Sequence, residues 1–337
     1  MTESRADSSS TQKVQQATRA LSALRDSLTA LSMPYVLQGT AAASDKATLI
    51  RDQLGDYILP RLASLDAPLL AVVGGSTGAG KSTLVSSLVR RQVARASAIR
   101  PTTRRPLLLH APADAAWFDT DRVLGSLSRL RVDSDAPASP LTDHTPRELE
   151  LRACKGLPEG LAIVDAPDVD SVVEDNRDLA ATLLAGADLW IFVTTAARYA
   201  DAVPWEHLRA AAQRRITAAI VLDRVPAGAE TEVEADLRRR LVSAGLEEAP
   251  VFTIPETALD DDGFLPESCV SPVRQWLGAL ASDAAARQDI AHRSLTGAVG
   301  AVLARRFTRH GSPSGARPRR GRARRRRRSR SRPPTPR

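Results

Sequence analysis

The chain alternates short apolar runs with longer amphipathic stretches. The run Pro68–Gly74 is apolar between its ends, closes in glycine and is too short for a helix, so it predicts a strand. Similar runs recur at Pro106–His110, Leu161–Asp165, Asp188–Thr194, Thr217–Leu222 and Pro250–Ile254. Between most of them lie helical patterns, at 82–93, 175–186, 204–213 and 231–244. Strands and helices that alternate in this way predict a mostly parallel sheet covered on both faces. Two helical patterns come before the first strand. From Thr11 to Ser32, Val14, Ala17, Leu21, Leu24, Leu28 and Leu31 recur at steps of three and four, and from about Ala47 to Leu62, Ile50, Leu54, Ile58 and Leu62 recur at steps of four. Residues 271–307 read as helix, carrying Trp276, Leu280, Ile290, Leu295, Val299, Val302 and Leu303, with no strand after it.

The expected organisation follows: residues 1–10 disordered, N-terminal helices over 11–64, an α/β domain over 65–258, C-terminal helices over 259–307 and an arginine-rich disordered tail over 308–337. At 337 residues with 43% apolar side chains, the chain can bury a large core. Cys154 and Cys269 form no C-x-x-C pair, which argues against a disulfide framework or a cysteine zinc site and for a reducing compartment. The polar opening MTESRADSSS does not read as a signal peptide, and no apolar stretch approaches membrane-spanning length. The expected location is therefore cytoplasmic.

The net charge of +8 changes meaning once it is located. Residues 311–337 hold 12 arginines and no acid, leaving 35 basic against 39 acidic side chains in residues 1–310, a net of −4. Nucleic acid is accordingly not an expected partner except through the tail, where phosphate charge would hold it. The tail lacks an aromatic residue for base stacking and begins abruptly, so translation out of frame is the favoured reading of it.

The strongest chemical signal is Gly75-Ser76-Thr77-Gly78-Ala79-Gly80-Lys81-Ser82, a G-x-x-x-x-G-K-[ST] motif between a strand and a helix, followed by Thr83. Glycines let successive N–H groups turn inward, and the helix starting near Lys81 adds its positive end, which makes a concavity for phosphates. Lys81 supplies a point charge there, and the Ser82 hydroxyl suits magnesium. Such a loop needs an acid at the end of a neighbouring strand, and Asp165 in Leu161-Ala-Ile-Val-Asp165-Ala-Pro167-Asp168 is the candidate. The fold class is thus α/β, a three-layer P-loop arrangement with flanking N- and C-terminal helices.

A strand, G-x-x-x-x-G-K-S, a threonine-bearing loop and strand-Asp-x-Pro together resemble the ordered G1, G2 and G3 elements of translation-factor-class GTPases. Thr103-Arg104-Arg105-Pro106-Leu107 is similar to the T-R-R-P-L segment of dynamin-like GTPases, and the long gap from Gly75 to Asp165 suits the same pattern. The resemblance covers about residues 11–305. It implies GTP binding with Mg²⁺, with Ser82, Thr103 and Asp165 as metal ligands and Thr103 closing over the γ-phosphate beside Lys81. It also implies conformational switching, GTP hydrolysis, self-association and a peripheral membrane role at the inner face.

Several positions depart from that pattern. Thr77 stands where dynamins carry a catalytic glutamine, and Gly78 replaces the serine after it. Asp168 occupies the place of the G3 glycine, where a carboxylate would repel phosphate oxygens. The base-reading segment is Asp223-Arg224-Val225-Pro226; Arg224 can stack on a purine, but Pro226 replaces the guanine-pairing aspartate. Two alternatives therefore stand beside the GTPase reading: a binding-only scaffold with weak or no turnover, and an ATP-dependent ATPase or kinase. Arg104, Arg105 and Arg198 are candidates for an arginine finger, with solvated loop arginines as the plainer reading.

Overall fold

A computed structural model describes residues 3–32, 40–93, 105–134 and 147–304. The apolar runs become β1 (Leu69–Gly75), β2 (Leu107–His110), β5 (Leu161–Asp165), β6 (Leu189–Thr195), β7 (Thr217–Val225) and β8 (Val251–Pro255). Two strands were not anticipated, β3 (Ser128–Val132) and β4 (Glu148–Ala153). Both carry charges where a buried strand is expected to be apolar. In β4, Glu150 and Arg152 are buried as an ion pair of 2.7 Å, so each charge meets a partner inside the protein.

Among the described residues the eight strands form one sheet, in the order β3-β4-β2-β5-β1-β6-β7-β8. All neighbours run parallel except β2 and β5, so two parallel blocks meet at one antiparallel junction. Alternate residues of β1 supply the two faces. Leu70 and Val72 pack with Leu179 of α6 (Glu174–Ala185), Leu208 of α7 (Ala202–Gln213) and Leu237 of α8 (Glu230–Ala244). Leu69, Ala71 and Val73 pack with Leu84 of α4 (Lys81–Val89) and Val270 of α9 (Glu267–Ser282). The result is a three-layer P-loop NTPase fold. A short α5 (Ala115–Phe118) follows β2.

The N-terminal helix α1 runs over Glu3–Thr29 and takes in most of the residues expected to be disordered. Once a helix is nucleated, each added residue gains a hydrogen bond at small further cost. The second pattern becomes α2 (Thr40–Gln53), one π-helical turn (Leu54–Ile58) and α3 (Leu59–Ala63). Leu54, Tyr57 and Ile58 form a third apolar cluster with Leu295, Ala298 and Val302, and Leu21, Leu24 and Leu28 of α1 pack against it.

The helical stretch read over 271–307 divides into α9 and α10 (Ala284–Ala304), with the break at Asp283. Asp283 leaves helical geometry, and its carboxylate accepts from the Ala285 and Ala286 N–H groups at 2.9 and 3.1 Å. It therefore caps the second helix. The long α10 crosses beneath the N-terminal ends of the central strands. Its Arg287 lies against Gly160 before β5, its Ser294 meets Tyr57, and its Gly297 lies against the Arg214 carbonyl before β7. Among the described residues no helix is long and apolar enough to cross a membrane. Residues 305–337, which include the whole arginine-rich tail, lie outside the described residues.

Candidate functional site

β1, β5, β6 and β7 are parallel, and their C-terminal ends bring the G-x-x-x-x-G-K-S loop, Asp165, Arg198 and Asp223 to one edge of the sheet. The carboxyl ends of the strands in open α/β sheets are where ligands bind.

The loop turns as its glycines allow. Gly75, Gly78 and Gly80 have φ of +148°, +72° and +96°. A Cβ at Gly75 would lie 2.1 Å from the Val193 carbonyl oxygen of β6, and one at Gly80 would lie 2.5 Å from Oδ2 of Asp223. A larger residue at Gly75 would have to move the β6 backbone, and one at Gly80 would have to turn the Asp223 carboxylate aside and hold a left-handed φ. Ser76 and Ala79 are buried in the turn, where the Ala79 N–H donates to the Ser76 carbonyl at 3.1 Å. Lys81 opens α4, with Ser82 and Thr83 in its first turn.

The buried Lys81 ammonium donates to the Gly75 and Ser76 carbonyls, each at 3.0 Å, and to Oδ1 of Asp168 at 2.5 Å. The Ser82 hydroxyl donates to Oδ2 of Asp165 at 2.6 Å. Ser82 and Asp165 thus bring a hydroxyl and a carboxylate together, which is the oxygen chemistry magnesium takes when phosphates and waters complete its shell. Among the described residues there is no group of three or more His, Cys, Asp or Glu that would hold a metal without such help.

Sequence reasoning missed Asp170. Its Oδ1 accepts from the Thr77 N–H at 2.7 Å and from the Thr77 hydroxyl at 3.0 Å, while its Oδ2 accepts from Arg198 at 2.7 Å. Arg198 also donates to the Thr77 carbonyl at 3.0 Å and to Asp201 at 2.9 Å. Burial by itself would raise the Asp170 carboxyl, but the hydrogen bonds from Thr77 and Arg198 outweigh it and hold the group below the ordinary carboxylate range. Arg198, a candidate finger, is thus part of a clamp on the phosphate loop. The signal in the sequence was only an acid two positions after Asp168, which by spacing alone reads as turn chemistry.

β7 reaches three residues beyond its expected end because its pairing with β8 is irregular between Leu222 and Val225. Arg224 takes a left-handed φ of +52° in that irregularity, and its guanidinium donates to the Gly78 carbonyl. Asp223 is buried behind Gly80, and burial pushes its carboxyl above the usual range against the opposing charge of Arg224. Arg105, just before the β2 end that pairs with Asp165, is engaged by Glu148 of β4 at 2.6 Å. Thr103 and Arg104 lie outside the described residues.

Residues 70–222 match the family model of the dynamin family. They form a dynamin-like G domain. Among solved structures, a bacterial dynamin from an oligomerised pair described as sensing and tethering membranes at long range is 15% identical, with a TM-score of 0.46, over 86% of this chain and 47% of that one. This chain thus spans about half the length of that dynamin. Era, solved with MgGDPNP and a 16S ribosomal RNA fragment, is 14% identical with a TM-score of 0.36, over 64% of this chain and 56% of that one. Toc33 from Arabidopsis thaliana, solved with GDP and Mg²⁺, is 17% identical with a TM-score of 0.36, over 74% of this chain and 92% of that one. No curated protein matches the chain.

Proposed function

We propose that the dynamin-like G domain over residues 70–222 makes this chain a Mg²⁺-dependent, GTP-binding switch, flanked by helices over 11–64 and 259–307. The observation that carries the reading is the Lys81 ammonium, buried against the curled Gly75–Ser76 backbone beside the paired Ser82 and Asp165. In this reading the loop's N–H groups and Lys81 bind the β- and γ-phosphates, and Thr83 continues the first turn of α4 at that end. Ser82, Asp165 and Thr103 hold magnesium, which when bound neutralises charge on the phosphate oxygens. Arg224 stacks on the purine from the β7 irregularity, with Asp223 packed behind Gly80.

Switching follows from the segment after β5. The Val169 N–H donates to the Gly75 carbonyl at 3.3 Å, and Asp170 binds Thr77, so this segment is stitched to the phosphate loop. A terminal γ-phosphate that takes the far side of Lys81 displaces both together. Self-association, a peripheral place at the inner face of the membrane and an otherwise cytoplasmic location belong to the same proposal by kinship.

A second reading, a binding-only scaffold, is favoured by one observation. Thr77, in the place of the dynamin glutamine, commits both its N–H and its hydroxyl hydrogen to Asp170 and so has no donor left for an attacking water. Phosphate release from purified protein separates the two, with Lys81→Ala as the control. Release well above that control supports the GTPase, whereas release equal to it, with nucleotide still bound by wild type, leaves the scaffold. Competition of GTP and ATP for one labelled analogue tests the base. A preference for ATP overturns the guanine assignment and returns the choice to an ATP-dependent enzyme.

A further inference from the structure

Three protein oxygens surround the Lys81 ammonium. Two are carbonyls of its own loop, and the third is the Asp168 carboxylate at 2.5 Å. In the reading proposed above, on which this inference rests, that third direction is where Lys81 meets the terminal phosphate of a triphosphate. An anionic side chain therefore already satisfies the charge that a γ-phosphate would seek. We infer that Asp168 acts as an internal stand-in for the γ-phosphate, so that the site binds nucleoside diphosphates in preference to triphosphates.

The argument depends on how firmly Asp168 is held. Its backbone neighbours are tied to the phosphate loop on the far side, where the Val169 N–H bonds to the Gly75 carbonyl and Asp170 bonds to Thr77 and Arg198. On the near side the Ala166 N–H bonds to the Val73 carbonyl at 3.2 Å. Asp168 thus projects from a short segment anchored at both ends. A diphosphate contacts the loop N–H groups and the near side of Lys81 while Asp168 stays in place. A γ-phosphate has to take the ammonium from Asp168, and unless the anchors also yield it then lies beside a second anion. Like charges at that distance, partly shielded from water, oppose each other strongly. A glycine or neutral side chain at this position has no such effect, so the preference is specific to the carboxylate.

The test is a fluorescence titration of the full chain, with saturating magnesium, using mant-GDP and the non-hydrolysable mant-GppNHp and then the adenine counterparts. It is carried out on wild type, Asp168→Asn, Asp168→Gly and Lys81→Ala. Because the readout is the ratio of two dissociation constants on one preparation, a variant that folds only in part still reports it. The expected result is a wild type that binds the diphosphate at least about tenfold more tightly, with the ratio falling about tenfold or more in both Asp168 variants through a gain for the triphosphate. Equal affinities in wild type, or a ratio that Asp168→Asn and Asp168→Gly leave unchanged, overturn the inference while the nucleotide reading stands. If neither nucleotide binds wild type in either base series, the nucleotide reading itself fails, and the inference fails with it.

Discussion

Asp170 gathers three donors from two segments, and its ionisation is coupled to the shape of the phosphate loop. Its carboxyl is held below the ordinary range, so its contribution is present above the unfolded value near about 4 and is lost as pH falls through the folded value. Asp170→Asn is expected to cost about 1–2 kcal/mol near neutral pH, a figure kept small because part of the cluster faces solvent. Denaturant titrations should show that cost shrinking as the pH drops below about 4; a cost independent of pH would show that the charge is not what matters. Lys81→Ala removes the one cation buried in the loop and is expected to lower nucleotide affinity by more than about tenfold, read by calorimetry. It also leaves Asp168 without that partner. A variant that binds nucleotide as wild type does would displace the phosphate site from this loop.

Helix α10 is read in sequence as a plain amphipathic stretch, yet its placement rests on a residue with no side chain. A Cβ at Gly297 would lie 1.6 Å from the Arg214 carbonyl oxygen, so Gly297→Ala forces the helix away from the loop before β7. The expected loss is about 1–3 kcal/mol or more, since the obstruction is backbone, measured as a shift in the denaturation midpoint. Gly300→Ala is the control, because nothing lies within 4 Å of a Cβ there. Equal effects from the two would mean that helix propensity, and not contact, decides. The same limit explains what else the sequence hid. Strands β1, β5 and β6 were legible because both their faces are buried and their residues are almost all apolar. Strands β3 and β4 were not, because Arg129, Arg131, Glu148, Glu150 and Arg152 find partners only after folding. The break at Asp283 was visible in principle, as an aspartate before an alanine-rich run reads as a helix cap.

The curled loop before α4 and the acid that ends β5 were legible because each is a motif local in sequence, whereas the clamp on Thr77 joins residues far apart and could only be seen folded. A second long-range cluster joins the helices to the sheet. Asp188, fully buried before β6, accepts from the Tyr57 hydroxyl at 2.8 Å, from the Leu70 N–H at 2.8 Å and from Arg61. The Tyr57 hydroxyl also pairs with Ser294 of α10 at 2.5 Å, and burial with the nearby Asp188 charge pushes that phenol well above its usual value. The π-helical turn sets Tyr57 in this position. The strands whose far ends carry the phosphate loop and Arg198 are therefore fixed at their near ends to the flanking helices. Asp188→Asn leaves the Arg61 guanidinium buried without its anion and is expected to cost about 3–5 kcal/mol, against about 1–3 kcal/mol for Tyr57→Phe. Because the two share a hydrogen bond, the double variant should cost less than their sum by about 0.5 kcal/mol or more. If sheet and helices unfold as one unit, calorimetry of wild type should show one transition, and a nucleotide at a hundredfold excess over its dissociation constant should raise the stability of that transition by about 2.7 kcal/mol. A separate helical transition that ignores the ligand would mean that the Tyr57–Asp188–Arg61 cluster does not couple the two parts.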